Sequence, residues 1–276
     1  MDKKVKILSP KSDIIFKLIF GTLFSIDILT DFLMAVLKLS PDEYDEVTIA
    51  NPILLPEYKG DKLGILDVRL KLKSGKIINI EIQIQPVPHM KERIVFYDAK
   101  LITEQIGEND NYEKIKRVIS IIITDYPLIE ESPNYHHRFL LYDPENNVTF
   151  TDILEIHTLE IPKIGESDDT RLWNWMKFLD VKTEDELNVL AEKSPIMKKA
   201  AVRLMELSAD EKARQLYEAR LKEQRDNYAR EQGAVKQAIF EIAKNLLDDG
   251  DSIDRIVKIT GLTYAEIESL RNANQD

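Results

Sequence analysis

Two carboxylates and an amide fall close together in the first third of the chain. Asp67 lies in ILDVRLKL (65–72), and Glu81 and Gln83 lie in IINIEIQIQ (77–85). Both segments alternate apolar with polar residues, the period of a strand that buries one face. In the first, Leu66, Val68, Leu70 and Leu72 share a face and Asp67 points the other way. In the second, Ile78, Ile80, Ile82 and Ile84 share a face, leaving Asn79, Glu81, Gln83 and Gln85 on the opposite one. The intervening Lys73-Ser74-Gly75-Lys76 is a hairpin signal. A two-residue Ser74-Gly75 loop would set Asp67 opposite Ile82 and each apolar face against a polar one, which burial forbids. A loop of Lys73-Ser74-Gly75 instead sets Leu70 opposite Ile78, Val68 opposite Ile80 and Asp67 opposite Glu81. That loop predicts a left-handed backbone at Gly75, which glycine adopts without steric cost.

Asp67 beside Glu81 poses an electrostatic problem, because two like charges about 4 Å apart repel by roughly 4 kcal/mol at an effective dielectric near 20. A divalent cation on oxygen ligands offsets the repulsion. Magnesium, with manganese as the alternative, takes one or two carboxylates and leaves its other positions to water and phosphate. The same spacing also suits an exposed hairpin in which Asp67 and Glu81 pair with Arg69, Lys71 or another cation, and spacing alone leaves both readings open. Thiolate sites are excluded by the absence of cysteine, and His89, His136, His137 and His157 lack the spacing of a zinc motif.

The elements that would position this hairpin are legible on either side of it. PKSDIIFKLIFG (10–21) reads as a short helix ending at Gly21, and Ile26–Leu39 as a second, stopped by Ser40-Pro41. After the hairpin, Pro88–Ile106 has helical period, RVISIIIT (117–124) reads as a buried strand and HRFLLYD (137–143) as another. This order predicts an α/β fold, a mixed sheet flanked by helices, occupying residues 1–165. Past Pro162 the composition turns polar and strand signals cease. In RLWNWMKFL (171–179), Leu172, Trp175, Met176 and Leu179 share one helical face, most simply a packing face, with Trp175 as a stacking residue the alternative. Residues 166–235 read as a helical arm whose 209–233 stretch is densely charged, and 236–276 as a small helix-turn-helix-like unit turning at Gly261. No apolar run is long enough to span a bilayer and the N-terminus lacks a signal-peptide pattern, so a soluble, cytoplasmic protein is expected. The net charge of −11 weighs against a nucleic-acid binder.

The strand with Asp67 followed by IEIQIQ resembles the D…(D/E)-x-K signature, in an E-x-Q variant, of the recombination-promoting nuclease and transposase family within the PD-(D/E)XK superfamily. SDIIFKLIFG, ERIVFYDAKLITEQI, GENDNYEKIKRVISIII, FTDILEIHTLEIPKI and the tail AKNLLDDGDSIDRIVKITGLTYAEIESL resemble it in order and spacing. The resemblance implies a PD-(D/E)XK-type fold and a magnesium-dependent DNA endonuclease, with Asp67, Glu81 and Gln83 as the catalytic set. Asp67 and Glu81 would hold the metal, with Asp13 of the first helix as a further ligand. An acidic residue in a first turn also simply complements the helix dipole. Gln83 departs from the usual lysine and can only orient water through hydrogen bonds, shifting the work to the metal. Lys17 would supply the missing charge or pair with Asp13. Arg93 and Tyr97, on one helical face, would contact phosphate or else pack as an Arg–Tyr pair. In the tail, Glu266 and Glu268 oppose a major-groove role, so oligomerisation is expected of it. The alternative is a catalytically silent nuclease fold that binds DNA or a partner. No separate DDE-type acid triad is discernible.

Overall fold

The structure, a computed structural model, describes residues 6–22, 25–49 and 68–273. Asp67 lies outside the described residues, and with it the expected pairing of Asp67 with Glu81. The chain forms two compact units, Met1–Tyr217 and Glu218–Asp276.

The first unit is built on a six-stranded mixed sheet in the order β1-β2-β3-β4-β6-β5. Its strands are β1 (Thr48–Ile49), β2 (Val68–Lys71), β3 (Ile77–Gln83), β4 (Val118–Thr124), β5 (His136–Asp143) and β6 (Val148–Glu160). β3, β4 and β6 run parallel, and β1–β2, β2–β3 and β5–β6 pair antiparallel. The hairpin has the expected register, with Val68 opposite Ile80 and Leu70 opposite Ile78. Its turn closes with Gly75 N–H donating to the Leu72 carbonyl at 2.8 Å and Leu72 N–H donating to the Lys76 carbonyl at 2.9 Å. Gly75 has φ 86°. Reading the loop from its burial consequence thus fixed both the register and the glycine's conformation.

One sheet face carries Val68, Leu70, Ile78, Ile80, Ile82, Ile119, Ile121, Ile123 and Leu159. Against it pack α1 (Asp13–Phe20), α2 (Ile26–Val36), α4 (Arg171–Asp180), α5 (Glu184–Ala191) and α6 (Pro195–Ala209) in one continuous core. Trp175 is fully buried there, edge-on to Phe20, Phe32 and Phe178, and its indole N–H donates to Asp31 Oδ2 at 2.8 Å. The packing reading of the Trp175 face is the one the structure adopts. Helices α4, α5 and α6 therefore complete the sheet's own core. On the other face a smaller cluster of Met90, Ile94, Ile122 and Leu128 seats α3 (Met90–Thr103).

The second unit contains most of α7 (Glu211–Asp248), then α8 (Ile253–Thr260) and α9 (Tyr264–Ala273). Ala243, Ile256, Leu262 and Ile267 form its core. Gly261, at φ 71°, makes the left-handed turn that separates α8 from α9. The charged stretch predicted as an arm is thus a continuous helix. Among the described residues no helix is long and apolar enough to cross a membrane.

Candidate active site

β3 is central in the sheet, and its alternation sends Ile78, Ile80 and Ile82 into the main core while Asn79, Glu81 and Gln83 face α3. Parallel pairing places Asn79 beside Ser120, Glu81 beside Ile122 and Gln83 beside Thr124. Asn79 and Glu81 are each 5% exposed, a degree of burial that polar side chains tolerate only with partners. Gln83, at the carboxyl end of the strand, is half-buried.

Glu81 has weak compensation. Among the described residues the cation paired with its carboxylate is Arg93 of α3, whose guanidinium lies 4.0 Å from Oε1. Glu81 Oε1 accepts no hydrogen bond, and neither does Asn79 Oδ1. Burial pushes the Glu81 carboxyl above the usual range, and Arg93 offsets this only partly. Arg93 also stacks over Tyr97, 5.3 Å from the ring centre, which is the Arg–Tyr packing envisaged from their spacing. Tyr97 and its neighbour Phe96 nevertheless remain 43% and 58% exposed, so the outer face of α3 presents aromatic rings beside a guanidinium.

A second buried carboxylate stands on the same helix. Asp98 is 1% exposed, accepts a hydrogen bond from the Ser120 hydroxyl at Oδ1, and has no partner at Oδ2. Its carboxyl is pushed up to about 6, chiefly by burial and further by the charge of Glu81, against the lowering effect of Ser120. Sequence reasoning passed over Asp98, although a signal was present. The buried stripe of α3 is Met90, Ile94, Asp98 and Leu101, so a charged residue occupies a helical position that should be apolar.

Asp13 and Lys17 are both buried on α1, a helix that packs on the sheet face opposite α3. The structure therefore gathers Glu81, Gln83, Arg93 and Tyr97 around β3 and α3 and carries Asp13 and Lys17 on a different layer. His136 of β5 and His157 of β6 form their own network on the far strands. His157 Nε2 donates to Glu155 Oε1 at 2.7 Å and His157 Nδ1 faces His136 Nε2 at 2.8 Å, while Arg138 and Arg117 also pair with Glu155. Burial holds His136 and His157 down at about 4, and both are neutral at physiological pH.

The donors on the Glu81 face are all oxygens, and three of them are buried without a hydrogen bond. This set suits a hard divalent cation such as magnesium. Among the described residues no group of three carboxylates or histidines converges as a complete cage.

A mixed sheet with helices on both faces and a buried acidic residue on a central parallel strand is the architecture of the PD-(D/E)XK nucleases. The family model for PD-(D/E)XK nuclease family transposases matches residues 10–234, and the chain belongs to this family. The match ends within α7, short of the tail helices α8 and α9. No curated protein and no solved structure matched the chain. Family membership defines a nuclease related to mobile elements.

The burial of Asp98 carries a prediction about the metal-free protein. Its folded carboxyl sits at about 6, above the ordinary 3.8, so its contribution to stability is fully present below the ordinary value. That contribution is lost as pH rises through 6, and a shift of this size corresponds to about 3 kcal/mol. In chelator, Asp98→Asn should therefore raise the thermal midpoint near pH 7.5 and leave it little changed near pH 4. Equal midpoints for the two proteins at pH 7.5 would show that Asp98 is not penalised by its surroundings.

Proposed function

We propose that the protein is a metal-dependent DNA endonuclease that hydrolyses phosphodiester bonds with low sequence preference, associated with recombination or mobile elements. The observation that carries this reading is Glu81, a buried carboxylate with an unpartnered oxygen on a polar strand face, in a chain of nuclease ancestry. In this reading Glu81 and Asp67 hold magnesium or manganese. The bound ion would supply an activated water and charge stabilisation at the scissile phosphate.

The chain's own residues do the rest. Glu81 is anchored by β3 and keeps an oxygen free for coordination. Gln83 sits two residues further along the same face, where its amide can accept from an attacking water and donate to a phosphate oxygen. Being neutral, it holds the water without adding charge, unlike the superfamily's lysine. Arg93 is one-third exposed beside Glu81 and can turn outward to a phosphate, while Tyr97 and Phe96 offer stacking surface to a displaced base. The protein would act in the cytoplasm on DNA, as a homo-oligomer.

A second reading, a silent nuclease fold that binds DNA or a protein partner, is favoured by the net charge of −11 and by glutamine at position 83. Supercoiled plasmid separates the two. Nicking that requires magnesium or manganese and stops with chelator is expected of the enzyme. Retention of supercoiled plasmid with either metal, at protein concentrations that shift it on a gel, would replace the first reading with the second.

A further inference from the structure

The oxygen atoms left unpartnered on the Glu81 face do not stop at β3. Asn79 Oδ1 on β3 and Asp98 Oδ2 on α3 both lack a hydrogen bond, and Ser120 links them: it is the strand partner of Asn79 and the hydroxyl donor to Asp98. Asn79 and Asp98 are 5% and 1% exposed, and neither oxygen has a hydrogen-bond partner within the chain to make up the deficit. A buried polar atom without a partner costs about 1–3 kcal/mol, and a charged one more. The acidic pair here is thus accompanied by an independently buried, unpartnered amide oxygen on the same face. Arg93 does not close this account, because its contact is with Glu81 at 4.0 Å and its own Nε is also without a partner.

We propose that Asp98 is a further metal-facing carboxylate of the nuclease site, held toward the divalent cation by the Ser120 hydroxyl and accompanied by the Asn79 amide oxygen. The inference rests on the reading that Glu81 binds metal, and it adds the helix as a source of oxygen ligands. Ser120 fixes one carboxylate oxygen and leaves the other for the cation, either directly or through a coordinated water. Such a hydroxyl–carboxylate pair fixes the orientation of a ligand in many metal sites. A carboxylate at this place in an otherwise apolar helical stripe then has a chemical reason, since a cation offsets the repulsion between Asp98 and Glu81 that the metal-free protein must carry.

The test is manganese binding to the full chain, measured by the loss of the free-ion electron paramagnetic resonance signal and without reference to cleavage. Wild type, Glu81→Gln, Asp98→Asn and Ser120→Ala are compared, with circular dichroism on each. Asp98→Asn keeps the size and shape of the side chain, so it is expected to fold and to weaken manganese binding at least tenfold. Ser120→Ala, which frees Asp98 to rotate, should weaken it several-fold and serves as the second probe if Asp98→Asn does not fold. A carboxylate that only supports packing would change the melting temperature and leave manganese affinity alone. Affinity within twofold of wild type in both Asp98→Asn and Ser120→Ala, with Glu81→Gln impaired, overturns the role of Asp98 and leaves the function reading standing. If wild type does not bind manganese, or if Glu81→Gln binds as wild type does, the site itself is misplaced and both readings fall.

Discussion

Glu81→Ala is expected to lower metal-dependent plasmid nicking by about a thousandfold or more, since a single ligand or charge-stabilising group in a site excluded from water can account for losses of this order. The same substitution should leave the fold intact. Glu81 is a buried carboxyl whose folded value is raised by desolvation, so its contribution to stability is lost as pH rises through that raised value. At pH 7 to 8 in chelator, removing it relieves a burial penalty and the weak pairing with Arg93 is all that is given up. Glu81→Gln, which keeps the volume, should melt at or above the wild-type temperature while losing activity. Activity in Glu81→Ala within a few-fold of wild type would remove Glu81 from the chemistry.

The second large effect is structural. Trp175→Ala is expected to destabilise the first unit by about 3–5 kcal/mol, the usual cost of removing a large aromatic side chain from a packed core. For a unit of this length that corresponds to a thermal midpoint lower by on the order of 10 °C. The loss should be felt at the sheet, because the ring lies edge-on to Phe20 of α1 and Phe32 of α2, and its departure also leaves Asp31 Oδ2 without the indole donor. Denaturation of both proteins can be followed by far-ultraviolet circular dichroism. A midpoint unchanged within 2–3 °C, the response to about 1 kcal/mol in a unit of this size, would mean that α4 is not integral to this core.

The sheet's central hairpin was legible because its two strands bury one face each, and a register error by one residue would have reversed every side chain. The parallel pairing of β3 with β4 was not legible, since the run Val118–Thr124 is apolar on both faces and has no alternation to orient it. β6 escaped as a strand because polar residues interrupt its apolar pattern. Glu155 and His157 are nonetheless buried against Arg117, Arg138 and His136 from earlier in the chain, and Glu160 against Lys163 three residues on. Glu81 and Gln83 could be placed on one face from period alone, and Arg93 with Tyr97 on one helical side. That Asp98 joins them required knowing which face of α3 meets the sheet, and in the sequence that face is marked only by three apolar residues and the aspartate itself.

The closure of the main core spans nearly the whole first unit. Leu8 N–H donates to the buried hydroxyl of Ser208 at 3.0 Å, so Leu8 is tied to the last turn of α6. A ribosome adding about 5–20 residues per second needs on the order of ten seconds or more to deliver that partner. During this interval the apolar faces of α1, α2 and the hairpin have been synthesised without the helices that cover them. The strand bearing Glu81 therefore acquires its full packing only after synthesis has passed it by more than a hundred residues.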